Sequence, residues 1–151
     1  MRLEALLSQN MQCDAAHADV EITGLTADSR IVAPGYLFAA LPGEHVDGNR
    51  FVAQAVAQGA AAVLTAQPDA GLSVPVLYDE NPRRALAELA GRFFAFRPEC
   101  TVGITGTNGK TSTAAFLRQF WTEAGLSAAS LGTLGVVTQE FTRPINHTTP
   151  N

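Results

Sequence analysis

Hydrophobic residues come in short runs parted by polar turns, and the spacing within the runs changes along the chain. Residues 1–7 read as a first helix. Residues 20–27 have strand character and are broken by Asp28-Ser29-Arg30. After the Pro34-Gly35 turn, residues 36–41 form a continuous apolar run, the mark of a buried strand. A polar loop at 42–48 leads into a helix expected from Asn49, its candidate cap, to about Gln58, with Phe51, Ala55 and Val56 facing inward. Residues 61–65 and 74–78 read as two more strands. Asn81-Pro82 is a cap followed by proline at the first helical position. Leu86, Leu89, Ala90, Phe93 and Phe96 then mark an apolar stripe that Arg97-Pro98 ends, because the residue before proline avoids the α region. Residues 101–105 read as a short buried strand. Residues 110–124 read as a helix with Ala114, Leu117, Trp121 and Ala124 on one side and Gly125 as its stop, and 127–131 as a further strand.

This order of elements predicts an α/β protein. Residues 1–80 make a small mixed α/β amino-terminal domain, and 81–151 begin a P-loop-type parallel-sheet domain. A phosphate loop works at the carboxyl edge of a parallel sheet covered on both faces. Residues 81–151 supply too few strands for one, so the expectation is an incomplete second domain and a longer parent protein.

The chemistry concentrates in one turn. Lys110 is the only lysine of the chain; the other basic side chains are arginine. It sits in Gly103-Ile-Thr-Gly106-Thr-Asn-Gly109-Lys110-Thr111-Ser112. A compact ammonium enters a phosphate cradle more readily than a planar guanidinium fork. Glycines let main-chain N–H groups converge, and the following helix directs its positive end at the same point. The strict pattern G-x-x-x-x-G-K-[ST] would need glycine where Ile104 stands, so this is the variant T-G-T-N-G-K-T. The competing reading is a plain strand-to-helix turn with a solvated lysine.

Bulk properties narrow the field. With a formal charge of −4 and a pI near 5.2, the chain has no electrostatic footprint for nucleic acid. Cys13 and Cys100 form no C-x-x-C pair, and no stretch has the length to span a bilayer, so a cytoplasmic address is expected. Asp14, Asp19 and Glu21 show no metal-ligand spacing, and His17 reads as a surface residue. A guanine-reading Asn-Lys-x-Asp motif is excluded, because the single lysine lies in the loop.

Thr-Gly-Thr-Asn-Gly-Lys-Thr at 105–111 resembles the ATP loop of the Mur ligases and of folylpolyglutamate synthase. Asp28-Ser29-Arg30, Pro34-Gly35, Leu37-Phe38, Ala40-Leu41, Gly43, Asp47-Gly48, Phe51, Ala55 and Gly59-Ala60 are similar to the uridine-nucleotide domain of the Mur ligases that add the third residue or the final dipeptide. Leu131-Gly-Thr-Leu-Gly135 with Thr148-Thr-Pro150 resembles the third-residue branch.

The resemblance implies a three-domain, ATP-dependent amide ligase of peptidoglycan precursor synthesis, monomeric at full length. Its substrates would be UDP-MurNAc-L-Ala-D-Glu and a diamino acid, diaminopimelate or lysine. ATP turns the substrate carboxylate into an acyl phosphate, which the incoming amine attacks.

By the same resemblance Gly106, Thr107, Asn108, Gly109, Lys110, Thr111 and Ser112 hold ATP, with Lys110 the catalytic cation and Thr111 the Mg2+ ligand. Ala27, Ser29, Arg30, Glu44, His45 and Val46 surround the uridine diphosphate, while His147, Thr148 and Thr149 meet the muramoyl peptide. Without it, Ser29 reads equally well as a turn residue bonding its own backbone, and His45 as an exposed loop histidine. Asp79-Glu-Asn-Pro-Arg83 looks like a diaminopimelate-selecting motif but is better read as a helix cap, with no ligand role. Isolated, the chain is expected to catalyse no ligation. The alternatives are the dipeptide-adding branch and a non-catalytic uridine-nucleotide binding module.

Overall fold

The computed structural model describes residues 1–7, 11, 19–43, 46–67 and 71–145. The chain divides into two compact units, Met1–Arg97 and Pro98–Asn151.

The first unit is built on a parallel sheet in the order β1-β2-β3-β4, with β1 at Gly24–Thr26, β2 at Tyr36–Ala40, β3 at Ala62–Thr65 and β4 at Val76–Tyr78. The four expected strands are all present, each trimmed at one end or both. Successive side chains of a strand point to opposite faces, and here both faces are apolar. Leu37, Ala39, Ala62, Leu64 and Leu77 pack on one side with Leu3 and Leu6 of helix α1 (Leu3–Leu6) and Ala85, Leu86 and Leu89 of helix α3 (Pro82–Phe93). Phe38, Ala40 and Val63 pack on the other with Val52 and Ala55 of helix α2 (Val52–Ala57). This explains the unbroken hydrophobic run in β2: a parallel strand covered on both faces has no polar side.

Four expectations change here. Helix α3, grouped by sequence with the residues after 80, is part of the first unit. Its stripe covers the parallel sheet, and Arg92 donates a 2.6 Å hydrogen bond to the Leu6 carbonyl. The stripe also ends earlier than expected, with Phe96 fully exposed. Before α2, a 3-10 turn at Gly48–Phe51 is capped by Asp47, whose carboxylate accepts from the Asn49 N–H at 2.9 Å; Asn49 is not the cap. Phe51, expected inside, is exposed, and Val52 takes the buried position.

The second unit has helix α4 at Lys110–Glu123, closed by Gly125 in a left-handed conformation, and an antiparallel sheet β5-β6-β7 at Ser130–Gly132, Gly135–Val137 and Thr142–Arg143. Helix α4 lies where the pattern placed it, but none of its residues is fully buried. Residues 101–105 do not form the expected strand. A strand persists when neighbours satisfy its main-chain groups, and among the described residues none pairs with this segment; Val102 is half exposed. The described strands of this unit are antiparallel, so the parallel sheet expected beside the phosphate loop is not among them.

Candidate functional site

The turn from Gly106 to Gly109 delivers the chain into α4. Gly109 stands at the helix N-cap with φ +79°, a conformation that L side chains rarely adopt, and a Cβ there would meet open space. Glycine is therefore required by the backbone rather than by crowding. The helix closes at once, Thr113 N–H donating to the Gly109 carbonyl at 2.9 Å. No side chain caps the start of α4, so the first main-chain N–H groups stay available for an anion, helped by the helix dipole. The Lys110 ammonium folds back over the turn and donates to the carbonyls of Gly106 and, at 3.3 Å, Thr107. Thr111, one residue on, has its hydroxyl 3.0 Å from the hydroxyl of Thr133 in the β5–β6 turn.

All seven residues expected to hold ATP, Gly106 to Ser112, thus fall in one exposed turn and the first turn of one helix. This arrangement fits a polyphosphate: an uncapped helix start, an ammonium with three donors, and main chain without side-chain cover. It also fits Mg2+. The described residues hold no cluster of three or more His, Cys, Asp or Glu, and magnesium needs none where phosphates and one hydroxyl supply part of its oxygen shell. Thr111 is the hydroxyl in place for that role.

In the first unit, Ala27, Ser29 and Arg30 directly follow β1 and Val46 follows β2, at the carboxyl end of two adjacent parallel strands. Ligands of open parallel sheets collect at that edge. Asp28 organises the segment: its carboxylate accepts from the Arg30 main-chain N–H at 3.0 Å and from the guanidinium at 2.6–3.1 Å. Those bonds, side-chain one first, hold the Asp28 pKa down at about 2 against an ordinary 3.8 and push that of Arg30 up. The Arg30 fork is thereby aimed while remaining exposed, and Ser29 is buried. Glu44, His45, His147, Thr148 and Thr149 lie outside the described residues, as do Cys13, Asp14 and His17.

Sequence reading missed a polar chain at the same edge. Thr65, the last residue of β3, donates to the Asn49 side chain at 2.6 Å and accepts from the Gln67 N–H, while Asn49 donates to Asp47 at 2.8 Å. The available signal was a hydroxyl ending an otherwise apolar strand. The Asp79–Arg83 stretch behaves as a cap: Asn81 accepts from the Arg84 N–H at 3.1 Å, and buried Asp79 accepts from the Asn81 N–H at 2.8 Å. Arg83 reaches the Pro42 carbonyl at 3.0 Å, pinning the loop after β2.

Comparison with known proteins agrees with this geometry. Residues 21–94 match the model of the Mur ligase family, catalytic domain, and 104–151 that of the Mur ligase middle domain. The chain is 45% identical over 151 residues to a Bradyrhizobium diazoefficiens protein named UDP-N-acetylmuramoyl-L-alanyl-D-glutamate--2,6-diaminopimelate ligase, covering 100% of this chain and 31% of that one. The chain therefore spans under a third of that relative's length. A solved structure described by the same ligase name superposes over 100% of this chain and 31% of its own with a TM-score of 0.77, at 23% identity, which speaks for the fold. MurF ligase from Thermotoga maritima in complex with ADP matches at a TM-score of 0.56 and 26% identity, over 69% of this chain and 24% of that one. With two models of one family matched in order along its length, the chain belongs to the Mur ligase family.

Proposed function

We propose that these residues are the uridine-nucleotide unit and the phosphate loop of an ATP-dependent ligase that joins diaminopimelate to UDP-MurNAc-L-Ala-D-Glu in peptidoglycan precursor synthesis. The observation that carries the reading is the uncapped start of α4, with Gly109 left-handed and Lys110 poised over the turn. The substrate assignment draws on the names of the curated relatives, each called a 2,6-diaminopimelate ligase. Those names favour the third-residue reaction over the dipeptide-adding one. A cytoplasmic address goes with this chemistry, and no described helix is long and apolar enough to cross a membrane.

A carboxylate is a poor electrophile; once ATP has phosphorylated one of its oxygens, that oxygen can depart as phosphate when the amine attacks the carbonyl carbon. The chain's part is to bind and neutralise. The N–H groups at the start of α4 donate to phosphate oxygens, and Lys110 offsets negative charge as the phosphoryl group moves. Thr111 holds Mg2+, while Asn108 and Ser112 flank the same turn. The segment from Ala27 to Arg30, with the loop containing Glu44, His45 and Val46, takes the uridine diphosphate. His147, Thr148 and Thr149 take the muramoyl peptide.

Ligation of meso-diaminopimelate to the UDP-muramoyl dipeptide, followed by phosphate release in the full-length protein, tests this. Replacing Lys110 by Met is expected to lower kcat by on the order of 10²–10³-fold, the range for removing one preorganised charge-stabilising donor. Undiminished turnover in that variant would refute the role of the loop.

A further inference from the structure

The β5–β6 hairpin carries a hydroxyl that the phosphate-loop pattern does not require. Gly132 pairs with Gly135, so Thr133 and Leu134 alone form the turn. Gly135 adopts φ +85°, and a Cβ there would collide with the Arg143 carbonyl oxygen and the Pro144 backbone beneath it. A tight turn closed by a left-handed glycine is a common hairpin geometry, and it fixes where Thr133 projects. Its Oγ1 lies 3.0 Å from that of Thr111, 22 residues earlier.

We propose that Thr133 is a positioning residue for Thr111 as magnesium ligand, an inference that rests on the phosphate-loop reading above. A hydroxyl has one proton and two lone pairs. When it ligates a divalent cation, one lone pair faces the metal and the proton must face an acceptor elsewhere. Thr133 Oγ1 is that acceptor. The bond fixes the rotor of Thr111 and makes its oxygen a better ligand, as outer partners do for metal-binding side chains generally. Neither main chain nor charge at Thr133 is involved, so the effect belongs to its hydroxyl alone.

The test uses the full-length protein with Mn2+ in place of Mg2+, reading metal affinity of the ADP complex by electron paramagnetic resonance and metal-free ADP affinity by calorimetry. Thr133→Val is expected to weaken Mn2+ binding roughly tenfold, the lower end for loss of an outer-shell partner, with metal-free ADP binding unchanged. Thr133→Ala should behave alike and Thr133→Ser should restore wild-type metal affinity. Wild-type Mn2+ affinity in the Val and Ala variants overturns the inference and leaves the ligase reading standing. An equal fall in metal-free and metal-bound ADP affinity overturns it too, since it shows a merely structural turn. Failure of the wild type to bind ADP strikes the phosphate-loop reading itself, and this inference with it.

Discussion

Helices α3 and α4 begin in opposite ways. α3 starts with Asn81 accepting from the Arg84 N–H, then Pro82, which has no N–H to satisfy. α4 starts at a left-handed glycine with no side-chain cap. The two helices also differ in burial. α3 buries Ala85, Leu86 and Leu89 against the parallel sheet. α4 buries none of its residues completely, and Phe116 and Phe120 are more than half exposed. A side-chain cap closes the first turn of α3, whereas the first main-chain N–H groups of α4 stay open. The difference is local, and it can be broken by substitution.

The largest effect is expected in the first unit's core. Leu64→Ala removes a fully buried side chain and should cost about 2–5 kcal/mol in chemical denaturation. A loss well below that would mean the sheet is not the stabilising centre. Next comes the closed helix end: Asn81→Ala should destabilise by about 1 kcal/mol, measured the same way. If it does not, the contrast between capped and uncapped ends has no energetic content. On the other helix, Phe120→Ser should change stability by less than about 0.5 kcal/mol, as for exposed sites generally; a larger loss would show that α4 has packing partners of its own.

The smallest effect concerns charge. The Asp28 carboxyl should titrate near pH 2 by NMR, and Arg30→Gln should return it towards 3.8. Because the folded value is depressed, the pair's contribution is present above 3.8 and lost as pH falls from there towards about 2. Its worth in stability is slight, since both side chains are solvent-screened. An ordinary Asp28 titration in the wild type would remove the account of how Arg30 is aimed.

What sequence alone determined is what depends on near neighbours. The four strands of the first unit, the Asn81-Pro82 cap, the start of α4 at Lys110 and its glycine stop were all legible, because periodicity, caps and left-handed glycines act within a few residues. The glycine turn into α4 was legible for the same reason: its residues are contiguous. Tertiary structure decided what depends on distant partners. It assigned α3 to the first unit, because its apolar stripe is satisfied by strands far earlier in the chain. It withheld strand structure from 101–105, where an apolar run has no described neighbour to pair with. It also brought Thr65 to Asn49 and Thr133 to Thr111. A hydroxyl's partner is chosen by the path of the whole chain, and no local spacing encodes that path.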